Sequence, residues 1–312
     1  MKSDAPVLFL VFNRIDETRK VVEVLKRVKP RRMYVAADGP RDGNLADHQG
    51  CEEVRDYLQK ELNWEMDLNQ RYQEVNLGCG KHVSSSISWF FEHEDEGIIL
   101  EDDCVPSLSF FNFCTILLER YRHSENIQII GGTNFLPTGN GESYYFSDFP
   151  QIWGWATWKR AWNNYSFSLK EFSEEEMKTI VNDRFSNLQM RDYWLDIFRM
   201  MKSEPVDTWD YQWTFSIWKA NGICVIPSEN LISNVGYGEL ATHTKDKNDL
   251  VFDRPVGDIV EWRHPQKIKV RKDLDKLLFY KNFEARKNAY FLKKVKDKLQ
   301  WEVKKLLGFG KH

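Results

Sequence analysis

The chain has 312 residues, enough for one large α/β domain with an appendage or for two domains of ordinary size. Hydrophobic residues make up 42% and charged residues 29%, as in ordinary soluble globular proteins, while 14% aromatic residues with 12 Trp is a high share. The net charge is −3, but the charge is distributed unevenly along the chain. From Arg286 onwards nine Lys and Arg stand against Asp297 and Glu302, so this tail carries +7 and the rest −10. Such an acidic body excludes the basic footprint of a nucleic-acid-binding protein.

Cysteine usage and hydrophobic runs indicate where the protein works. The five cysteines form no CxxC pair and leave an odd count, which predicts reduced thiols in a cytoplasm rather than a disulfide framework or a zinc site. The run PVLFLVF near the start is too short for a signal-peptide core or a membrane span. We therefore expect a cytoplasmic protein.

The first part of the chain alternates between strand and helix patterns. Residues 7–12 form an apolar run of strand length, residues 16–28 show helical spacing behind a candidate cap at Asp16, and MYVAADG from Met33 forms a second run. Residues 51–63 are predicted to be helical. A polar residue follows each strand, and the alternation predicts a mostly parallel sheet with helices on both faces.

A third unit leads from a short run at 72–75 through NLGCGKHVSSSISWFF, which has helical spacing, to the strand GIIL. The glycine-rich stretch fails both the Walker A pattern and GxGxxG. It is interpreted either as a glycine-punctuated turn into a helix or as a place where Lys81 and the helix start lie near a diphosphate.

Three consecutive carboxylates, Glu101, Asp102 and Asp103, end the strand GIIL. Such charges repel one another and lose hydration when buried, so a compensating cation is expected. Mg²⁺ or Mn²⁺ is the candidate, and a solvated acidic turn is the alternative. Ligands of open α/β sheets bind outside the carboxyl ends of the strands, which favours the metal. Polar residues that follow the neighbouring strands are expected at the same edge, and they are Asn13, Arg14 and Asp38.

The second half of the chain supplies aromatic and further acidic residues. After a predicted helix at 110–121 and the strand IQIIGG comes IWGWATWKRAW, whose Trp155 either stacks on a sugar or belongs to the core. In DTWDYQWTFSIW, at a predicted helix start, Asp207 is interpreted as a cap. Asp210 is interpreted as a base, because flanking aromatic rings desolvate a carboxylate and raise its basicity. The polar run LISNVGYGELATHTK contains His243, a candidate metal ligand.

The C-terminal run FLKKVKDKLQWEVKKLLGFG places apolar residues at helical spacing with lysines between them. This pattern is typical of a helix that lies in an anionic membrane interface, and a helix packed on the acidic body is the alternative. In the first case the protein attaches peripherally to the inner face of the cell membrane, and a lipid-linked acceptor is expected.

The ordered set of these motifs resembles a glycosyltransferase of the GT-A fold, from about Pro6 to Thr244. The triplet EDD after a strand is similar to that fold's DxD motif. The segments IILEDDCVPSLSFFNF, WGWATW and DTWDYQW most resemble the inverting N-acetylglucosaminyltransferase I group and bacterial nucleotide-diphospho-sugar transferases. Tyr211 stands where that group has a further acidic residue, and the sequence has no counterpart of the group's membrane stem.

The resemblance implies a role for each matched residue. Asp103 would bind a Mn²⁺ or Mg²⁺ ion that bridges the donor diphosphate, His243 would be a second metal ligand, and Asp210 would be the catalytic base. Asp38 would accept a hydrogen bond from a pyrimidine N3–H. The other nucleotide-sugar contacts implied are Asn13, Arg14, Lys81 or His82, Glu101, Asp102 and Trp155.

The expected function is inverting transfer of a sugar from a nucleotide-diphosphate donor, a UDP-sugar by resemblance, to a hydroxyl of a glycan or lipid-linked acceptor in polysaccharide assembly. Two alternatives stay open, a nucleotidyltransferase that makes sugar nucleotides and a non-catalytic membrane-associated binding protein. The expected GT-A domain spans 1–252, with a nucleotide-binding half at about 1–105 and an acceptor half at about 106–252. A helical extension, 253–312, follows it.

Overall fold

The structure is a computed structural model that describes residues 4–136, 141–203, 206–236 and 253–284. It divides into two compact units, Met1–Arg271 and Lys272–His312. His243 and the predicted C-terminal amphipathic helix lie outside the described residues. The described part of the first unit contains every other residue expected at the site.

A central sheet organises the first unit. The strands are β1 (Val7–Val11), β2 (Arg32–Ala37), β3 (Asp67–Tyr72), β4 (Glu96–Glu101), β5 (Cys104–Pro106), β6 (Ile127–Gly131), β7 (Tyr144–Ser147), β8 (Trp155–Trp158), β9 (Ile223–Pro227) and β10 (Ile232–Asn234). Eight of these form one sheet in the order β3-β2-β1-β4-β8-β6-β9-β7. β8 and β7 run antiparallel to their neighbours, and the other six share one direction. β5 and β10 form a separate antiparallel pair.

Helices cover both faces of this sheet. They are α1 (Ile15–Val28), α2 (Leu45–Glu61), α3 (Cys79–His93), α4 (Leu108–Tyr121), α5 (Lys159–Trp162), α6 (Glu174–Arg184), α7 (Leu188–Ser203) and α8 (Asp210–Lys219). Because crossovers between parallel strands are right-handed, α1 and α2 lie on one face and α3 on the other. Contacts of α1 with α2 and α4, and of α3 with α5, agree with this division. The predicted α/β fold with a mostly parallel sheet is confirmed.

The second unit begins with α9 (Lys272–Leu278), which continues into a π-helical turn, Phe279–Glu284. No described helix of either unit is long and apolar enough to cross a bilayer. All five cysteines lie among the described residues, and none is paired in a disulfide.

Burial explains why the sequence takes this form. β1 and β6 are buried at every residue, as strands covered on both faces are. α1 buries Val21, Val22 and Leu25 along one stripe, as its spacing predicts. It begins at Ile15, so Asp16 is not its cap. The Asp16 carboxylate lies instead in the first turn, where the helix dipole favours a negative charge.

Another predicted helix has different bounds, and the Trp-rich segment forms two elements. The helix predicted at 51–63 begins earlier, after Asn44, whose side-chain oxygen accepts a 3.1 Å hydrogen bond from the Asp47 amide. The Trp-rich segment is a strand and then a helix, because Trp155–Trp158 forms β8 and the next four residues form α5.

The strand register brings several polar segments to one edge of the sheet. Leu10 of β1 pairs with Ala36 of β2 on one side and with Glu101 of β4 on the other. The residues that follow β1, β2 and β4 therefore leave the sheet together, at its carboxyl edge.

Candidate active site

A largely buried arginine lies against two of the three carboxylates at the end of β4. Arg14 Nη2 forms an ion pair with Asp102 Oδ1, and Arg14 Nη1 lies 2.9 Å from Asp103 Oδ2. Asp102 Oδ2 also accepts a 3.2 Å hydrogen bond from the Phe12 backbone N–H. The Arg14 guanidinium is thus one of the cations that compensate the charge of the acidic triplet.

The two aspartates differ in their access to solvent. The side chain of Asp102 is 3% exposed and that of Asp103 is 13% exposed. Among the described contacts, Asp103 Oδ1 accepts one hydrogen bond, a weak one of 3.4 Å from the Cys104 thiol. The backbone at Gly236 packs so closely on Asp103 that any side chain there would overlap the carboxylate. Asp103 is therefore the carboxylate better placed to meet a ligand.

Glu101 keeps its proton at neutral pH. Burial raises the pKa of its carboxyl group to about 8, with further contributions from the charges of Asp103 and Asp102, while Arg14 opposes the shift. A group with this pKa is mostly protonated at pH 7. The charge of Asp210 also contributes to raising the Glu101 pKa.

Cys79, the first residue of α3, lies where several acidic segments converge. Burial raises the pKa of its thiol, and negative charges raise it further. The carboxylates responsible are Glu101, Asp207, Asp210 and Asp103. We call these four the acidic cluster. The hydrogen bonds from the Cys79 and Gly80 amides to Asp207 show directly that the loop before α8 contacts the start of α3.

Asp210 begins α8 and is half-buried. Thr208 Oγ1 donates a hydrogen bond to Asp210 Oδ1, which leaves Oδ2 as the oxygen without a bond in the described contacts. The preceding residue, Trp209, stacks on Trp155 with ring centroids 5.6 Å apart. Trp155 is completely buried, so it belongs to the core rather than stacking on a sugar. Its face is not available to a sugar ring, and its observed role is to support Trp209 beside Asp210.

Asp38 follows β2 at the same edge and is 4% exposed. Its carboxylate accepts hydrogen bonds of 2.9 Å from the amides of Gly39 and Leu77 and of 3.0 Å from Asn76 Nδ2. Burial raises the Asp38 pKa, and these amide bonds oppose the shift. The Asp38 carboxylate thus mainly binds the segment before α3. Its contact with a nucleotide base stays a prediction.

Three further expected residues lie around this group. Asn13 donates a 2.7 Å hydrogen bond to Asp47 Oδ1, so its side chain is held at the start of α2. Lys81 is exposed on the first turn of α3, and no ion pair involves it among the described residues. His82 is buried with Nδ1 3.8 Å from Asp38 Oδ1, and burial lowers its pKa to about 4, so it is neutral at pH 7.

The residues present fit a divalent cation that arrives together with phosphate. No three His, Cys, Asp or Glu side chains converge as a metal site within the described ranges. Mg²⁺ is often held by only one or two carboxylates, with substrate phosphates as the remaining ligands, and Asp103 offers one such carboxylate. His243 follows Gly236 by seven residues and is not described, so its role as a ligand stays a prediction.

Two surface cavities of the first unit lie away from these residues. One, of about 240 Å³, is lined by Glu142, Asp258 and Glu261 among others. The other, of about 710 Å³, includes Arg32 and Glu96, the first residues of β2 and β4, and so lies at the opposite edge of the sheet. Neither contains a member of the acidic cluster, and the convergence of side chains rather than cavity size locates the site.

No family model matches the sequence, and neither does any curated protein. The chain is similar to the mannosyltransferase PcManGT from Pyrobaculum calidifontis in complex with GDP-Man and Mn²⁺, at 8% identity over 70% of this chain and 69% of that chain, with a TM-score of 0.39. It is similar to HddC from Yersinia pseudotuberculosis complexed with GMP-PN, at 8% identity over 67% and 83% of the two chains, with a TM-score of 0.34. These likenesses are too distant to identify the reaction, which has to be inferred from the site.

One feature of the site differs from what the sequence predicts. Asp207 does cap a helix, but the helix is α3 and not α8. Its carboxylate accepts hydrogen bonds from the amides of Cys79 at 3.0 Å and Gly80 at 2.7 Å. The signal available was Gly78 before the helix, because a glycine at the N-cap has no side chain to cap the helix itself.

The protonated state of Glu101 predicts how stability depends on pH. The folded protein holds this proton more tightly than the unfolded chain, whose glutamate has a pKa of about 4.5. The stability that Glu101 contributes is therefore present below pH 4.5 and lost as the pH rises through 8. Glu101→Gln should raise the free energy of unfolding at pH 8 by more than about 1 kcal/mol relative to the parent, and by less at pH 5.

Urea titrations at the two pH values measure this difference. Glu92→Gln is the matched control, because Glu92 is exposed on α3 and its replacement should have the same small effect at both pH values. A Glu101→Gln effect that does not change between pH 5 and pH 8 would contradict the assignment of a protonated Glu101.

Proposed function

We propose that the protein is a metal-dependent, inverting glycosyltransferase that moves a sugar from a nucleotide-diphosphate donor, such as a UDP-sugar, to a hydroxyl of a glycan or lipid-linked acceptor. The main support is that the charges of both Asp103 and Asp210 raise the pKa of the same Cys79 thiol. One of these carboxylates is suited to a cation and diphosphate, and the other is suited to take a proton from an acceptor.

The charge around the site supports the dependence on metal. The carboxyl groups there are Asp102, Asp103, Asp207, Asp210 and Glu101, and the pKa of Glu101 is raised. Arg14 offsets one of these charges, and Lys81 is exposed on the first turn of α3. A diphosphate would meet net negative charge, and like charges repel strongly where water is partly excluded. A divalent cation held through Asp103 would remove this repulsion and neutralise the departing diphosphate.

The reaction proposed is a single displacement. Asp210 takes the proton of the acceptor hydroxyl through Oδ2, since Thr208 occupies Oδ1. The hydroxyl oxygen bonds to the anomeric carbon as the bond from that carbon to the donor phosphate breaks, and the electron pair leaves with the nucleoside diphosphate. One displacement inverts the configuration at the anomeric carbon.

The connection between β1 and α1 favours a glycosyltransferase over the nucleotidyltransferase alternative. Nucleotidyltransferases that make sugar nucleotides usually carry a glycine-rich loop with basic residues after the first strand. Here only Phe12, Asn13 and Arg14 separate β1 from α1, and none is a glycine. Arg14 is moreover engaged by Asp102 and Asp103. Peripheral attachment to a membrane through residues 286–312, and with it a lipid-linked acceptor, stays a prediction.

Metal-dependent donor binding tests the proposed class. A thermal-shift screen of UDP, GDP, CMP and their sugars, with and without Mn²⁺, should give a stabilising nucleoside diphosphate hit only when the metal is present. Asp103→Ala should weaken that binding by about 100-fold or more in calorimetry, because it removes the carboxylate that meets the cation.

Asp56→Asn provides the control for this variant, because Asp56 is exposed on α2 and calorimetry should give parental affinity. Wild-type affinity of Asp103→Ala for the donor and Mn²⁺ would remove Asp103 from the site. A preference for nucleoside triphosphates would favour the nucleotidyltransferase, and no hit at all would favour a binding module.

Asp210→Asn tests the base. The amide keeps the shape of the side chain but cannot take a proton, so turnover should fall by about 100-fold to 10,000-fold while the donor dissociation constant changes little. Product formation with a purified acceptor, and calorimetry with the donor, measure the two quantities.

Asp192→Asn, an equivalent change at an exposed position of α7, should keep parental turnover. Asp210→Asn with parental turnover would exclude Asp210 as the base, whereas loss of donor binding in the same variant would indicate a role in the donor site instead.

A further inference from the structure

Three backbone amides of segment 77–80, at the start of α3, are bound by two carboxylates. Asp38 accepts a hydrogen bond from the Leu77 amide at 2.9 Å. Asp207 accepts from Cys79 at 3.0 Å and from Gly80 at 2.7 Å. Segment 77–80 is therefore held from one side by the end of β2 and from the other by the loop that leads into α8.

The same loop holds Asp210. The hydroxyl of Thr208, the residue after Asp207, donates a hydrogen bond to the Asp210 carboxylate. The Thr208 backbone packs on Gly80 so closely that a β-carbon at Gly80 would lie 2.7 Å from the Thr208 carbonyl oxygen. A continuous set of contacts thus runs from Asp38 through segment 77–80 to Asp207, Thr208 and Asp210.

Helix capping alone does not explain a charged residue at position 207. Ser, Asn or Asp next to a helix satisfies its first amides locally, whereas Asp207 does so from 128 positions away in the chain. Its charge also raises the pKa of Asp38 and that of Cys79, so it adds repulsion to a region that is already acidic. Its distinctive effect is to fix the loop before α8 onto the start of α3.

We propose that Asp207 is a positioning residue for Asp210, which it holds in register with the donor-binding edge of the sheet by binding the Cys79 and Gly80 amides. Loss of these two hydrogen bonds frees the loop 207–209, and with it the Asp210 carboxylate. The inference rests on the proposed function, because it needs Asp210 to act on an acceptor hydroxyl.

Asp207→Ala and Asp207→Asn test the inference in the full-length protein. Displacement of a reacting group by about 1 Å can cost on the order of 100-fold in rate. Turnover of Asp207→Ala should fall by about 10-fold to 100-fold, whereas the dissociation constant of the nucleoside diphosphate with Mn²⁺ should change by less than about 3-fold. Asp207→Asn keeps one acceptor oxygen, and its turnover should lie between those of the parent and Asp207→Ala.

Ser173→Ala is the matched control for lost capping. Ser173 caps α6 by accepting a 3.2 Å hydrogen bond from the Glu176 amide, and its side chain is exposed. Its removal should lower the melting temperature to an extent similar to that of Asp207→Ala but leave turnover unchanged. Equal turnover in Ser173→Ala and Asp207→Ala would show that Asp207 is only a cap, and would overturn the inference.

A double variant separates positioning from a general loss of structure. If Asp207 acts only through Asp210, adding Asp207→Ala to Asp210→Asn should not lower the residual turnover further. A full additional loss in the double variant would contradict the inference. If Asp207→Ala does not fold, Gly80→Ala provides the same readout, since a methyl group there pushes the Thr208 backbone away from α3.

The outcomes also distinguish this inference from the proposed function. Parental turnover of Asp210→Asn would remove the base itself, and the role of Asp207 with it. Lost turnover in Asp210→Asn together with parental turnover in Asp207→Ala would leave the proposed function intact and reject the positioning role alone.

Discussion

The placement of Arg14 between Asp102 and Asp103 is the interaction on which the carboxyl edge depends. Three carboxylates at the end of a buried strand are unfavourable unless each is compensated. β1 neighbours β4 in the sheet, so the arginine that follows β1 reaches the carboxylates that follow β4. One guanidinium cannot neutralise three charges. Glu101 is compensated by a proton, Asp102 by Arg14 and the Phe12 amide, and Asp103 keeps partial access to solvent.

This distribution of charge determines what can bind. The start of a helix usually attracts phosphate because its first amides are free. At α3 two of those amides already bind Asp207, so the helix start is a poor site for a diphosphate. One interpretation of the sequence was that Lys81 and this helix start lie near a diphosphate. The hydrogen bonds to Asp207 argue against diphosphate binding by the amides of the helix start. A cation carried with the donor would hold a diphosphate beside Asp103, so the proposed metal dependence and the acidic cluster belong to one hypothesis.

Local pattern predicted much of this architecture, and long-range contacts explain what it could not. Continuous apolar runs predicted β1 and β4, helical spacing predicted α1, and the rule for ligand sites in parallel sheets brought Arg14 and the acidic triplet to one edge. Pairing of Arg14 with Asp102 depends on the register of β1 and β4, and capping of α3 by Asp207 joins residues 128 positions apart, so neither leaves a periodic signal. The burial of Trp155 follows from its place in β8, between two other strands, which its sequence neighbours do not indicate.

The two halves of the first unit contribute different groups to the proposed reaction. Asp103 comes from the end of β4, in the first half of the chain, and Asp210 comes from α8, in the second half. A direct displacement requires that the base and the leaving diphosphate lie on opposite sides of the same carbon, so small shifts between the halves would be costly. Backbone amides are well suited to prevent such shifts, because they have no side-chain rotamers to lose. Three amides of segment 77–80, bound by Asp38 and Asp207, therefore give the site a rigid reference that flexible side chains alone could not provide.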